Sequence, residues 1–183
     1  MVATAAVAAG LPALSRSLGE RLCVPGAWNA ERAREVPWAI ATFLLVRRSA
    51  FDAVGRFDEE QWMHAEDLDL AWRLARAGWT TRYEPGAVVR HVGSAATRQA
   101  FGDELTARWW AASYRFLARR RGPLVAWVIA GLNVAGTLAR LAVWTPAALV
   151  LRGRSRDRVR RLRAWLAIHR QGLRSRRSLL SFR

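Results

Sequence analysis

The chain has 183 residues, of which 52% are hydrophobic, so it is long and apolar enough for one packed domain and is not a disordered chain. Its formal net charge of +16 comes entirely from arginine, because the sequence contains no lysine, and this balance favours anionic partners such as phosphates, nucleic acid or an anionic membrane face. The single cysteine, Cys23, excludes an internal disulfide framework and suits a reducing compartment.

Residues 1–35 are predicted to form a short helix and a loop that precede the main folded part. An apolar run at 2–14 has no basic residue before it and contains a proline, which is not typical of a signal peptide. We interpret it as a short helix that ends near Gly19. The segment 24–35 contains proline, glycine and asparagine and is typical of a loop. We therefore treat residues 1–35 as a linker or a remnant.

A buried strand and a short helix are predicted next. The segment 36–47, VPWAIATFLLVR, is rich in strand-forming residues, which predicts a buried strand. Ser49 is expected to cap a short helix, SAFDAVG, that ends at Gly55. In the following loop, FDEEQW at 57–62, Asp58 has two open roles. It either caps the turn, which we favour, or binds a ligand hydroxyl.

The most informative stretch is the acidic start of a predicted helix, EDLDLAWRLARAGW at 66–79. At 100° per residue Asp69 lies on a polar face with Arg73, four residues later, and this spacing favours an ion pair. Asp67 instead falls among apolar positions, so it should point toward the protein body, where the helix N-terminus stabilises a carboxylate. The alternative is that Glu66 and Asp67 only decorate the start of a helix, where acidic residues are common.

Two short strands and a helix are predicted after the acidic helix. The sequence WTTRYEP at 79–85 indicates a strand, a Pro-Gly turn follows, and AVVRH at 87–91 indicates a second strand. The second strand ends on His91, and a lone histidine is more often a structural residue than a ligand. A helix that contains a tryptophan pair and a cluster of arginines is expected at 103–121.

The segment 123–151 is the most apolar part of the chain. Spanning a bilayer takes about 20 apolar residues, but Arg140 interrupts this segment at a cost of about 2.5 to 3.5 kcal/mol on insertion scales. Asn133 and Pro146 weaken a single span further. Arginines flank both ends, so the positive-inside tendency would place both ends in the cytoplasm. We therefore predict a helical hairpin or helices in the membrane interface. The alternatives are a single-pass helix and a soluble helical pair.

The tail at 153–183 is predicted to form a basic amphipathic helix. Its apolar residues fall on one stripe surrounded by arginines: Val159, Leu162, Leu166 and Leu173. This pattern is typical of a helix on an anionic surface. Nucleic acid is the competing partner, and we disfavour it because the sequence contains no recognisable nucleic-acid-binding module.

The acidic helix and its flanking motifs resemble one enzyme family. The run EDLDLAWRLARAGW, preceded by VGRFDEEQW and followed by YEPGAVVRHVGS, is similar to the C-terminal half of the catalytic domain of family 2 glycosyltransferases, especially rhamnosyl- and galactofuranosyltransferase-like members. The resemblance extends over 36–94. It implies an α/β fold class, in which a partial GT-A glycosyltransferase domain, the acceptor-side half, occupies 36–121. Apolar membrane-associated helices at 122–152 and the basic amphipathic tail at 153–183 would follow.

The resemblance also implies roles for individual residues. Asp67 would be the catalytic base, Glu66 would orient it or contact the acceptor, and His91 would bind the divalent metal or the donor diphosphate. The remaining candidates are acceptor-binding residues and a structural ion pair: Trp62, Thr42 and Asp69 for the acceptor, and Asp69 with Arg73 for the pair. Trp62 is a candidate because an aromatic plane matches the apolar face of a sugar ring. The family's usual glycine near Thr42 is absent.

The activity that the resemblance implies is inverting transfer of a sugar from a nucleotide sugar to a cell-envelope glycan or a lipid-linked acceptor. A divalent metal, Mg²⁺ or Mn²⁺, would be held only with an N-terminal donor-binding half. Neither a DxD-like element nor a βαβ unit precedes residue 36, so we expect a truncated or partial chain that lacks that half.

Partners and location follow from the same resemblance and from the charge. The expected partners are the nucleotide sugar, the acceptor and an anionic membrane surface. The protein would lie on the cytoplasmic face of the membrane, either peripheral or anchored by a hairpin. The alternatives to an active transferase are a non-catalytic remnant and a membrane-surface interaction module.

Overall fold

The computed structural model describes residues 20, 28–61, 63–92, 99, 102, 105–150 and 154–173, without the side chains of 147–150 and 154. Two short strands and five helices follow one another within these residues: β1 (Arg34–Val36), α1 (Arg48–Ala53), α2 (Glu66–Arg76), β2 (Thr81–Tyr83), α3 (Leu105–Arg120), α4 (Pro123–Val150) and α5 (Arg154–Gln171). The described part is therefore mostly helical with a two-stranded sheet. The predicted N-terminal helix that ends near Gly19, Trp62 and the end of the basic tail lie outside the described residues.

The strands β1 and β2 pair antiparallel, with Arg34 opposite Tyr83. Tyr83 holds the loop before β1, because its hydroxyl donates to the carbonyl of Ala30 at 3.0 Å. Its ring also packs edge-on against Trp28, with 5.0 Å between the ring centroids. The strand predicted at 79–85 is thus present as β2. Its partner β1 crosses the expected boundary at residue 36, so the loop before that boundary packs with the residues after it.

The predicted buried strand at 36–47 is wrong. Only Val36 of this segment belongs to a strand, residues 41–43 form an exposed turn, and Leu45 is 92% exposed. The second predicted strand, at 87–91, is also wrong, because this segment is exposed and has no assigned strand structure. Both segments contain strand-forming side chains. A strand also needs a hydrogen-bonded neighbour and a cover for its apolar face, and the described residues provide neither for these two segments.

The short helix α1 forms where the sequence predicts it, but its start differs. Arg47 is the N-cap residue and makes no side-chain capping bond, so Ser49 lies inside the helix and does not cap it. The end agrees with the prediction. Gly55 adopts a left-handed φ of 78° and donates its N–H to the carbonyl of Asp52 at 3.0 Å.

Helices α3, α4 and α5 pack into a bundle that contains most of the core. Gly122, with φ of 90°, follows α3, and Pro123 takes the first position of α4, where a missing N–H removes no helical hydrogen bond. Helices α4 and α5 are antiparallel. Near one end Gly172 lies so close to Ala130 that a Cβ on the glycine would be 2.6 Å from the alanine Cβ. Near the other end the Arg158 guanidinium lies 4.1 Å from the ring centroid of Trp144.

A buried polar network joins the three helices of the bundle. The side-chain amide of Asn133 donates to the Tyr114 hydroxyl at 3.0 Å, and this hydroxyl lies 2.9 Å from Nδ1 of His169. Burial, and secondarily the charge of Arg140, lowers the pKa of His169 to about 4, and burial raises the pKa of Tyr114 to about 12. Both groups are therefore uncharged at neutral pH. The two hydrogen bonds link one residue from each of the three helices, while Asn133 Oδ1 and His169 Nε2 have no hydrogen-bond partner among the described residues.

Helix α4 is continuous, so the predicted hairpin within 123–151 is not formed. The polar residues that were expected to interrupt it find partners inside the protein. Asn133 and Thr137 are fully buried in the bundle, and Arg140 folds back along the helix to donate to the carbonyl of Gly136 at 3.0 Å. By length and composition alone the segment Pro123–Pro146, with 24 residues and mean hydropathy of 1.6, could cross a membrane.

The apolar surface of the bundle differs from the prediction. Val159 and Leu162 of α5 are buried, so these two residues of the predicted apolar stripe pack inside the protein, whereas Leu173 is exposed; the arginines of α5 face outward. Helix α4 leaves several large apolar side chains exposed: Leu124, Trp127, Val128, Leu132, Leu138 and Val143. An exposed apolar face on one helix therefore accompanies an exposed basic face on its neighbour.

Candidate active site

The site begins with a strained turn before α2. His64 and Ala65 have φ of 63° and 60°, in the left-handed region that non-glycine residues rarely adopt. Gln61 is buried beneath this turn, and its amide nitrogen donates to the carbonyls of His64 at 2.9 Å and of Ala112 in α3 at 3.3 Å. Backbone strain of this kind costs about 1 to 3 kcal/mol per residue and persists only where the surroundings hold it. The hydrogen bonds of Gln61 therefore fix the direction in which α2 starts.

Asp67 lies in the first turn of α2 and is only 7% exposed, so it points inward as the helical periodicity predicts. Its Oδ2 accepts the backbone N–H of Ala41 at 2.9 Å, and its Oδ1 accepts the N–H of Leu68 at 2.7 Å. These two bonds orient the carboxylate and attach the 41–43 turn to the start of the helix. A carboxylate has about four lone-pair positions, so each oxygen keeps the capacity to accept a further proton donor.

Glu66 stands next to Asp67 and is half-buried. Its Oε2 is buried and has no hydrogen-bond partner among the described residues. Burial raises the pKa of this carboxyl, a backbone hydrogen bond partly offsets the rise, and the negative charge of Asp67 adds to it. Glu66 is therefore a carboxyl group with an uncommitted oxygen beside a carboxylate whose position is fixed.

His64 is the site residue that sequence reasoning missed. Its Nε2 is buried and is likewise without a hydrogen-bond partner in the described part of the chain. Burial lowers the pKa of His64, the Asp67 carboxylate opposes this effect, and Arg108 adds to the lowering. The available signal was its position, two residues before the acidic pair, but a single histidine in a loop has no periodicity from which its direction could be predicted.

Asp69 is 2% exposed, and two guanidinium groups hold it. Arg73 Nε lies 2.8 Å from Oδ2, and Arg120 Nε lies 2.6 Å from Oδ1. Arg120 also contacts Asp58, which in addition accepts a hydrogen bond from Arg119 at 3.1 Å. The Asp69–Arg73 pair thus has the geometry expected from the sequence, and Arg120 extends it into a clamp between α2 and the last turn of α3. Both carboxylate oxygens of Asp69 are engaged in this clamp, so the geometry gives no support for its predicted contact with the acceptor.

The loop before the strained turn is held by the same arginines. Asp58 accepts the backbone N–H of Glu60 at 3.1 Å, which is the turn-capping role that we favoured over hydroxyl binding. Arg119 also lies 2.6 Å from the carboxylate of Glu60. The segment 57–61 is therefore attached to α3, the same helix to which Gln61 bonds at the start of α2.

The other predicted site residues are distributed unevenly around Asp67. Thr42 is exposed in the 41–43 turn, directly after the residue whose N–H contacts the Asp67 carboxylate. His91 is exposed in the extended segment after β2, and no hydrogen bond of its side chain appears among the described contacts. Trp62 lies outside the described residues. The turn that carries Thr42 is thus the predicted acceptor element that the structure brings to the acidic helix.

A divalent metal is the cofactor that the resemblance implies. Within the described ranges, His, Cys, Asp and Glu side chains form no group of three or more that could hold a metal ion. His91, the expected ligand, belongs to no such group there. The donor set of the described residues therefore does not fit a metal ion.

A shallow groove lies at the opposite end of α2 from the acidic residues. It is lined by residues of β1, the start of β2 and the C-terminal end of α2, among them Glu35, Ala75 and Trp79. Glu35 is the carboxylate in its lining, and the groove contains neither Glu66 nor Asp67. We therefore locate the candidate chemistry at the N-terminal end of α2.

Asp67 points inward at the start of α2, and Glu66, whose pKa is raised, stands beside it. Such a pair of carboxyl groups is suited to proton transfer. The chain matches the family described as glycosyl transferase family group 2 over residues 27–169. The chain belongs to the family 2 glycosyltransferases, as its motifs indicate. No solved structure matches the chain.

Curated relatives carry names from the same family. The chain is 43% identical over 103 residues to an N-acetylglucosaminyl-diphospho-decaprenol L-rhamnosyltransferase from Mycobacterium tuberculosis, a match that covers 54% of this chain and 33% of the relative. It is 38% identical over 87 residues to the rhamnosyltransferase WbbL from Escherichia coli, covering 47% and 32%. A pre-mycofactocin glycosyltransferase from Mycobacterium tuberculosis is 47% identical over 57 residues, covering 31% and 12%. The chain thus spans about a third or less of the length of these relatives.

Proposed function

We propose that this chain is the acceptor-side part of a GT-A type glycosyltransferase that moves a sugar, rhamnose by analogy with two of its relatives, from a nucleotide sugar to a cell-envelope glycan or a lipid-linked acceptor. The observation that carries the proposal is the inward, doubly hydrogen-bonded carboxylate of Asp67 at the start of the acidic helix. The family membership and the names of the relatives support it.

The proposed reaction is a single displacement with inversion. The acceptor hydroxyl oxygen attacks the anomeric carbon of the donor, the bond from that carbon to the nucleoside diphosphate breaks, and the hydroxyl proton passes to Asp67. The N–H groups of Ala41 and Leu68 hold the carboxylate in one orientation before the acceptor arrives. A base fixed in this way does not have to reorganise during the reaction. Such preorganisation is a main source of catalytic rate enhancement.

Glu66 is proposed to contact the acceptor. Its Oε2 has no hydrogen-bond partner among the described residues, and the rise in its pKa comes from burial and from the neighbouring negative charge. A carboxyl group with a raised pKa is a weaker acid and is protonated more readily, so it accepts a hydrogen bond from a hydroxyl when ionised and donates one when protonated. The two neighbouring carboxyls would then have separate roles, with Asp67 as the base and Glu66 as the contact that orients the acceptor.

A test of the reaction uses the complete gene product with a nucleotide-activated rhamnose and N-acetylglucosaminyl-diphospho-polyprenol. We expect a disaccharide-lipid product by mass spectrometry, with the opposite anomeric configuration to the donor by NMR. Retention of the anomeric configuration would contradict a single displacement. Absence of product, together with absent binding of nucleotide sugar in calorimetric titrations, would support the alternative of a non-catalytic remnant.

We further propose that the protein works on the anionic cytoplasmic face of the membrane. The exposed apolar side chains of α4, such as Trp127 and Val128, suit the boundary between headgroups and acyl chains. The arginines of the neighbouring helix α5 face outward and suit anionic headgroups. The protein would meet a lipid-linked acceptor at this surface.

Vesicle co-sedimentation tests the membrane proposal. We expect binding to vesicles that contain phosphatidylglycerol and little binding to pure phosphatidylcholine. Replacing Arg156, Arg163 and Arg170, three exposed arginines of α5 seven residues apart, with glutamine should weaken binding by about a hundredfold, at about 1 kcal/mol per charge near an anionic surface. Equal binding to both vesicle types, or tighter binding to duplex DNA at the same salt concentration, would contradict it.

A further inference from the structure

The groove at the C-terminal end of α2 is a concave surface that the proposed reaction does not use. Its volume is about 270 Å³, close to the lower limit of about 300 Å³ that is usual for small-molecule sites. Helix α2 has 11 residues, so at a rise of about 1.5 Å per residue the groove lies about 16 Å from the acidic end of the helix. A ligand in the groove is therefore remote from the proposed base.

Gly78 and Arg47 place Trp79 at the groove. Gly78 follows α2 with a left-handed φ of 85°, its N–H donates to the carbonyl of Ala75 at 3.2 Å, and a Cβ added to it would meet nothing within 4 Å. Trp79 lines the groove and is 39% exposed, and the Arg47 guanidinium lies 5.8 Å from the centroid of its ring. The indole is thus held by a neighbour while part of it stays open to solvent.

Three polar side chains with uncommitted hydrogen-bonding groups line the same groove: Glu35, Thr80 and Thr81. None of them makes a side-chain hydrogen bond or an ion pair with another described residue. Glu35 lies in β1, and Thr81 in β2 pairs with the next residue of β1, Val36, so the two paired strands bring these groups together. The groove therefore offers a carboxylate that accepts and two hydroxyls that both donate and accept.

The lining favours a neutral ligand with several hydroxyl groups. The negative charge of Glu35 disfavours a phosphate, and the positive charge of Arg47 beside the Trp79 ring disfavours a cation that would stack there. A sugar has hydroxyls that donate to a carboxylate and a C–H face that packs on an aromatic plane. The chemistry of the lining thus matches a sugar unit.

We propose that this groove is a glycan subsite, in which one sugar unit packs against Trp79 and donates hydroxyl hydrogen bonds to Glu35. The sugar belongs to a part of the acceptor beyond the reacting unit, and this assignment rests on the proposed function. An acceptor with several sugars then contacts both ends of α2, whereas an acceptor with one sugar contacts only the acidic end. The groove therefore favours longer acceptors.

Binding is tested by NMR titration of the whole chain with methyl α-L-rhamnoside and with N,N′-diacetylchitobiose. Choline and inorganic phosphate serve as the charged control ligands. The chain has ten tryptophans, and the variant Trp79→Phe assigns the indole signal of interest. We expect the Trp79 indole N–H signal to shift with at least one of the sugars at about millimolar concentration, as for a small ligand in a shallow groove, and with neither control ligand.

Four variants separate the groove from the rest of the surface. We expect Trp79→Ala and Glu35→Ala each to weaken sugar binding by about tenfold. The matched controls are Trp109→Ala, a tryptophan of α3 that is 37% exposed, and Glu84→Ala, an exposed glutamate after β2 that does not line the groove. Both controls should bind as the parent chain does. Equal losses in a variant and its control would overturn the subsite, and if Trp79→Ala does not fold, Glu35→Ala with its control decides.

A kinetic measurement distinguishes this inference from the proposed function. In the complete gene product, Trp79→Ala should raise KM about tenfold for an acceptor with several sugars, and should leave kcat and the KM of a one-sugar acceptor unchanged. Transfer with an unchanged KM for both acceptors, or a Trp79 signal that shifts with no sugar or with a charged control ligand, overturns the subsite and leaves the transferase proposal standing. Sugar binding in the groove without any product would support the subsite as a glycan site and contradict the proposed function.

Discussion

Replacing Asp67 with asparagine is expected to lower the rate of sugar transfer by about 10²- to 10⁴-fold, the range that a positioned general base contributes. The amide cannot take the proton of the acceptor hydroxyl. It also keeps only one oxygen, so one of the N–H groups of Ala41 and Leu68 loses its acceptor, at a cost of about 1 to 3 kcal/mol in stability. The measurement is kcat in the rhamnosyl-transfer assay, with urea unfolding in parallel.

The matched control is Asp52→Asn. Asp52 is likewise an aspartate in a helix, but its partners are the exposed guanidinium groups of Arg48 and Arg56 on the surface of α1. This variant should transfer sugar at the rate of the parent protein. If Asp67→Asn retained more than about a tenth of the rate, the assignment of the base would be wrong.

The variant Asp69→Ala is expected to destabilise the fold by about 3 to 5 kcal/mol, because it leaves two largely buried guanidinium groups without their shared carboxylate. The side chains of Arg73 and Arg120 are 14% and 25% exposed, so water replaces the lost contacts only in part. The change is read as a lower midpoint of urea unfolding at an unchanged slope. Transfer measured below that midpoint should lose less activity than with Asp67→Asn, since Asp69 has no proposed contact with the substrate.

Asp52→Ala is again the control. Its ion pair with Arg48 has the same spacing of four residues as Asp69 with Arg73, but it is exposed, and exposed pairs contribute little. We expect a clearly smaller shift than for Asp69→Ala. Similar shifts for the two variants would mean that the clamp between α2 and α3 does not stabilise the fold.

The start of α2 was predictable because its signal is local. Acidic residues at the beginning of a helix, the inward position of Asp67 and the spacing of Asp69 and Arg73 all follow from the helical period within one segment. Arg120 as the second partner of Asp69 was not predictable. It lies in a different helix, and sequence periodicity carries no information about which arginine of α3 faces α2.

Strands were harder to predict than helices for the same reason. The segment 36–47 has the composition of a buried strand, but a strand forms its hydrogen bonds with another segment, and the described residues offer it no partner. The continuous helix α4 shows the opposite case. Arg140 and Asn133 suggested an interruption, yet a helix satisfies its own backbone, and these side chains found partners on the helix itself and on Tyr114 of α3.

His64 was missed because its significance is conformational. The residues around it in the sequence give no reason to expect a left-handed backbone at a histidine followed by an alanine. Only the position of Gln61, buried and bonded to α3, explains why the turn takes that form. Residues of this kind become visible when the whole packing is known.

The clamp of Asp69 by Arg120 has a mechanical consequence. Arg120 ends α3, and three residues later the chain enters α4, so the acidic helix and the bundle are joined through this ion pair. Asp67, the proposed base, lies two residues from Asp69 in the same helix and is therefore coupled to the bundle through this ion pair. If the bundle rests on lipid as proposed, it would hold the Asp67 carboxylate at a constant height above the bilayer. The protein would then select acceptors whose sugar reaches that height.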